Sequence, residues 1–296
     1  MSFTWEGLVA GTDQASGRIV LLDPADTDWN GADAVRWSWA PDRAGGFDDS
    51  LIAAWGVPTD AKIRRCDAWG GLWLVATDSL GLAAVVPFPS ADRKRWAANV
   101  GGNPHSAELL PNGNVAVASS TGGRVRLYAS SQGPEADAYA EFALPGAHGL
   151  VWDPRRDVLW ALGDDDLVAL AVEGSDAEPV MRESSRTALP TRGGHDLQPV
   201  YGDADRLWVS TVGHVYQYVK SADAFVSDYP ECREISRPHV KSVGNFRSGR
   251  VAGTVPKAGS LYEWTTDTVD FHGPPSKRVC EGAAFYKARI VYSDYE

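Results

Sequence analysis

Residues 105–119 read HSAELLPNGNVAVAS: a histidine and an apolar stretch, a Pro-Asn-Gly-Asn turn, then a second apolar stretch. Two apolar runs flanking an Asn-Gly turn predict a β-hairpin. The plan returns as HGLVWDPRRDVLWAL from His148, HDLQPVYGDADRLWVS from His195 and HVKSVGNFRSGRVAGT from His239, at spacings of 43, 47 and 44 residues. A third strand follows each hairpin, as RVRLYAS, DLVALAV, HVYQYVK and SLYEWTT, and AYAEFAL supplies a fourth. Four strands repeated at about 40 to 50 residues is the signature of a propeller blade.

Working outward, KIRRCDAWGGLWLVATD fits one period upstream, with Cys66 or a neighbour in place of the histidine. At the far end CEGAAFYKARIVYSD fits again, with Glu281 42 residues after His239. The N-terminus offers three strands, GLVAGTDQ, RIVLLDP and AVRWSWAP, but no inner strand of its own. The expected fold is therefore all-β: a six-bladed β-propeller forming a single domain over residues 1–296, with blade 1 closed by N- and C-terminal strands. Its inner strands are led by Cys66, His105, His148, His195, His239 and Glu281. The run Asp164-Asp165-Asp166 reads as a tight turn between two strands of one blade.

Composition narrows the partners. Hydrophobic residues make up 44% and charged residues 23%, enough for a sizeable core, and 12 Trp against 2 Met suit strands and sugar-binding surfaces better than helices. A formal net charge of −11 with basic runs only at Arg64-Arg65 and Arg93-Lys94-Arg95 argues against nucleic acid. Three widely spaced cysteines, Cys66, Cys232 and Cys280, give no CxxC metal motif and at most one disulfide. With no long apolar run and no signal-peptide pattern, the chain is expected to be soluble, monomeric and away from membranes. A cytoplasmic protein and a secreted one already trimmed read alike.

In a propeller the same position of every inner strand faces the axis, so four histidines opening successive inner strands would form a ring. His214 and His272, near outer strands, would lie outside it. Four converging imidazoles need a shared partner, because protonated they repel and neutral they offer lone pairs. That partner is a divalent metal (Mn, Zn or Ca) held by His105, His148, His195 and His239 with Glu281 as a further ligand, or an anionic substrate gripped by the imidazoles, or a water network. Lys241, two residues after His239, points to the same side deeper in the channel and is a candidate base. Arg64 or Arg65 at the mouth would hold a carboxylate bidentately. Asp196 is placed to orient a neighbouring histidine, and Glu108 for structural pairing.

The series NPHSAELLPNGNVAVAS, GAHGLVWDP, GGHDLQPV, HVKSVG and FYKARIV resembles an uncharacterised family of bacterial propellers found alongside carbohydrate-degrading genes. Members of that family carry an acidic residue and a Cys-Lys pair where this chain has Arg65-Cys66-Asp67. The histidine arrangement is also similar to that of oligogalacturonate lyase, a propeller whose metal is held by histidines and a glutamine. The resemblance implies an oligosaccharide or sugar-acid substrate and a lyase acting on acidic or oxidised sugars by β-elimination. A glycoside hydrolase or sugar isomerase using the same channel site, and a non-catalytic carbohydrate- or protein-binding propeller, are the alternatives.

Overall fold

Strands covered on both faces read as unbroken apolar runs, and that is what the middle of each repeat supplies: Val115–Ser119 (VAVAS) is buried at every position. Outer strands alternate instead, as in Tyr139–Ala143, where every second residue is exposed. The computed structural model describes residues 4–295. They form six four-stranded antiparallel sheets arranged as the blades of a six-bladed propeller, with only two short helices, Asp49–Ala53 and Cys232–Ile235, and one 3-10 turn.

The inner strands, taken from blade 2 to blade 6, are Pro58–Arg65, Pro104–Leu109, Gly149–Asp153, Gly194–Val200 and Ser242–Asn245. Blade 1 is built as the chain ends require: its inner strand is the C-terminal Phe285–Ile290, paired antiparallel with Val9–Asp13 through Val9↔Ile290 and Ala10↔Arg289. Gly11 sits in this seam, and a Cβ there would stand 2.7 Å from the Phe285 ring, so only glycine lets the closing strand pack. Outside the seam Ser293 donates from its backbone and hydroxyl to Glu6.

Six apolar clusters fill the six spaces between neighbouring blades, for example Ala116, Val125 and Leu127 of blade 3 against Leu150, Trp152 and Leu159 of blade 4. Each blade thus buries both faces, and no sheet stands without its neighbours.

The axis itself is filled by charge. Arg289 donates from Nε to Asp60 (2.8 Å) and from Nη1 to Asp196 (2.7 Å), joining blades 1, 2 and 5. Lys62 donates to Ser106, to Glu108 and to the carbonyl of Leu150, and Arg64 donates to Glu108 at 2.6 Å. Lys287 reaches the carbonyl of His105 and lies 3.4 Å from Asp196. These side chains are almost wholly shielded from solvent. Burial acts to raise the Asp60 pKa, but Arg289, then Lys62 and Lys287, overcome it and hold the carboxyl well below its ordinary range.

Two outcomes follow. A chain ended at Glu281 loses the closing strand, bares an edge in blade 1 and removes Arg289 from the axis. It should elute as aggregate in size-exclusion chromatography, and a soluble, cooperatively melting product would contradict the shared blade. Asp196→Asn leaves the buried Arg289 half-paired and should lower urea stability by about 3–5 kcal/mol, whereas breaking the exposed Arg192–Asp165 pair should leave the midpoint unchanged.

Candidate functional site

At one end of the channel each inner strand is preceded or opened by a small irregularity. The pairing shifts by one residue between Pro104 and Ser106, between Gly194 and Asp196, and between Pro58 and Asp60, leaving His105, His195 and Thr59 as bulged residues. The pairing of the closing strand shifts likewise, beside Tyr286. In blades 4 and 6 the residue just before the strand, His148 or Lys241, donates its N–H to the neighbouring strand, to Leu162 and Thr254. Two residues earlier the backbone turns left-handed in four blades, at Asn103 (φ 58°), Gly146 (63°), Gly193 (74°) and His239 (64°).

That register corrects the expected ring. His105, His148 and His195 do converge, with ring centroids 4.3 Å apart for the first pair and 4.7 Å for the second. His239 does not join them: it fills the left-handed turn position, which histidine tolerates better than most residues, and is exposed. Lys241 takes its place in the ring, its Nζ 2.9 Å from Nε2 of His195. Tyr286 takes the place assigned to Glu281, its hydroxyl 3.0 Å from the same Nε2 and its ring 5.5 Å from that of His105. Thr59, not Cys66, holds the matching backbone position in blade 2, but its hydroxyl turns to Thr77 and to the carbonyl of Pro104.

The remaining candidates lie elsewhere. Cys66 follows the opposite end of its strand, beside Pro111, and Glu281 is exposed in the turn before the closing strand. Arg64 and Arg65 are also at that opposite end: Arg64 is buried on Glu108, and Arg65 is exposed with its N–H on the Ser293 carbonyl. Neither meets the mouth. Asp196 serves Arg289 and the Val243 N–H rather than a histidine, whereas Glu108 does the structural pairing expected of it. His214 and His272 stand outside the ring, and all three cysteines are free. Tyr286 was missed because a residue-type search looks for histidine. Lys241 is found from the backbone: its N–H bonds the Thr254 carbonyl as that of His148 bonds the Leu162 carbonyl, each just before its inner strand.

Hydrogen bonds fix the imidazoles. Nδ1 of His105 lies 2.9 Å from the Asn103 carbonyl and Nδ1 of His148 lies 2.9 Å from that of Gly146. A carbonyl only accepts, so Nδ1 carries the proton and Nε2 keeps a lone pair. Burial holds all three histidines neutral: His148 is pushed down to about 4, and His105 and His195 fall well below their ordinary value, with His148 adding to the shift of each. Burial and then Lys287 lower Lys241 to about 8, while burial and then Asp196 raise the Tyr286 phenol well above its usual range.

These residues do not fit a divalent metal. Among the described residues no three His, Cys, Asp or Glu side chains are grouped to hold an ion. Nε2 of His195, the third imidazole, faces Lys241 and Tyr286, and the channel beneath carries more cations than carboxylates. The mouth is instead an open cavity of about 300 Å³, walled by His105, His195, Lys241 and Tyr286 and rimmed by Gln14, Asn103 and Trp264. Trp264 is 46% exposed, lies parallel to Tyr262 at 5.2 Å and donates its indole N–H to Gln14.

The fold is similar to that of a functionally unknown protein from Desulfotomaculum acetoxidans DSM 771, at 9% identity and a TM-score of 0.56 over 98% of this chain and 82% of that one. It is equally similar to a protein of unknown function from Bacteroides caccae, at 10% identity and a TM-score of 0.56 over 95% and 93% of the two chains. A looser likeness to virginiamycin B lyase from Staphylococcus aureus, at 11% identity and a TM-score of 0.46 over 74% and 69%, carries no argument about chemistry. A comparison with curated proteins finds no match. Over residues 11–294, a span that takes in the whole ring, the sequence matches one family model, and the chain belongs to that family of unknown function, DUF6528.

Proposed function

We propose that the histidine-lined mouth is a metal-independent proton-transfer site that carries out β-elimination on a small, carboxylate-bearing sugar. One observation carries the reading: Nζ of Lys241 and the Tyr286 hydroxyl each stand within 3.0 Å of Nε2 of His195 at the wall of an open cavity. Three titratable atoms at hydrogen-bond distance, in a partly desolvated cavity and with pKa values pushed apart, form a proton junction.

Each group has a role consistent with its protonation. The substrate carboxylate is drawn by the cationic excess of the channel, and the sugar ring lies against Trp264. Neutral Lys241 takes the proton α to the carboxylate, the C–H electrons become a C=C bond, and the β C–O bond breaks. The Tyr286 phenol protonates the departing oxygen, and the Lys241 ammonium returns a proton to the phenolate through His195. The books balance with no oxidant or metal.

Because the Lys241 pKa is lowered to about 8, the free amine accumulates as pH rises, so kcat/KM should climb through about pH 8 and then level off. A Lys241 that only clamped a carboxylate would give the opposite slope. Incubation with uronate-containing oligosaccharides should raise ultraviolet absorbance as the conjugated double bond forms. Lys241→Met should abolish the rise, and a chelator should leave it unchanged. Trp264→Ala should raise KM about three- to tenfold with kcat kept. Sugar cleavage without an unsaturated product would replace elimination by hydrolysis. The stacked Tyr262–Trp264 pair favours one second reading, a saccharide-binding propeller. Binding by calorimetry that survives in Lys241→Met, with no product from any uronate, would establish it.

A further inference from the structure

Deeper in the channel, away from the mouth, lies a second and much smaller space. Its walls include Lys62, Arg64, Gln198, Tyr201, Arg289 and Tyr292, and its free room is about 10 Å³ for a sphere the size of water. That room takes one water or one monatomic ion and excludes a sugar or a carboxylate. Arg289 is three residues beyond Tyr286 on the same strand, about 10 Å further down.

Two independent features of this space point to an anion. The first is an unmet donor. Arg289 is 3% exposed, its Nε is taken by Asp60 and its Nη1 by Asp196, yet its buried Nη2 has no hydrogen-bond partner. The second is charge. The buried axial network contains four cations, Lys62, Arg64, Lys287 and Arg289, against three carboxylates, Asp60, Glu108 and Asp196. A water would satisfy Nη2 but leave one positive charge uncompensated in a low-dielectric interior. A monovalent anion meets both needs, because a guanidinium N–H bonds an anion with charge assistance.

We infer that the channel interior holds a single buried halide, chloride under ordinary conditions, bound by Nη2 of Arg289 as a structural ion. The site is separate from the chemistry proposed for the mouth and does not depend on it. It binds only the folded state, since the unfolded chain has no such cavity, so the ion stabilises the protein by mass action.

The test uses the whole chain exchanged into sodium gluconate and titrated with sodium chloride or sodium bromide at constant ionic strength. Melting temperature should rise saturably by about 2–5 °C with either halide. Crystals grown in bromide should show one anomalous peak within hydrogen-bond distance of Arg289 Nη2. Gln198→Glu, which brings a carboxylate to the cavity wall, should melt in gluconate near the wild-type chloride value and lose the halide response. A wild-type melting temperature indifferent to halide, or bromide crystals with no anomalous peak at Nη2, would overturn the inference. Should Gln198→Glu fail to fold, those two wild-type measurements decide it.

Discussion

The Arg289 guanidinium reaches from the closing strand across the axis to Asp60 of blade 2 and Asp196 of blade 5. Interblade apolar clusters hold each blade to its neighbours, but this contact spans the channel and ties the last strand made to strands laid down far earlier in the chain. A buried ion pair of this kind is weak evidence of net stabilisation, because desolvation offsets much of the Coulomb gain. What it does supply is an intolerance of error. Any register of the closing strand other than the native one carries the guanidinium off Asp60 and Asp196 and leaves buried charges unpaired. Gly11 imposes the same discipline sterically, by admitting the Phe285 ring only where no Cβ stands.

The network that holds the channel also tunes the mouth. Lys287 lies below the ring, fully buried, and its charge adds to burial in lowering His148 and Lys241. Lys287 is itself brought down to about 8, first by burial and then by Arg289. Imidazoles in this setting are neutral lone-pair donors at physiological pH, not cationic grips, and Lys241, lowered to about 8, is the ring cation brought nearest to that pH. A site built of the same residues over a neutral or acidic channel would titrate differently and would suit a metal better.

The blades were legible because a propeller repeats, and each repeat displays its turn and its buried strand in residue types that sequence shows plainly. Closure was legible for the same reason: three N-terminal strands lacked an inner partner and the C-terminal stretch supplied one. The ring was only partly legible. Aligning the copies by histidine set His239 beside His105, whereas the backbone aligns Lys241 with it and puts His239 where Asn103 and glycines stand in other blades. Residue identity and structural register coincided in three blades and parted in the fourth. Cys66 and Glu281 were misplaced likewise, and Arg64 and Arg65 failed for another reason: their strand was read from its turn, so the bottom of the channel was taken for its top. The axial ion pairs had no local signal, since Asp60, Asp196 and Arg289 are brought together only by closing the circle.

Every ring side chain projects from a like kink in the backbone, whether the residue is threonine, histidine, lysine or tyrosine. The kink comes from the turn and pairing of one blade and asks little of the side chain that rides on it. Four of these positions, His105, His195, Lys241 and Tyr286, wall the mouth, and each is supplied by a different blade. One base change in one repeat can therefore exchange one wall of the cavity while the other three blades keep theirs.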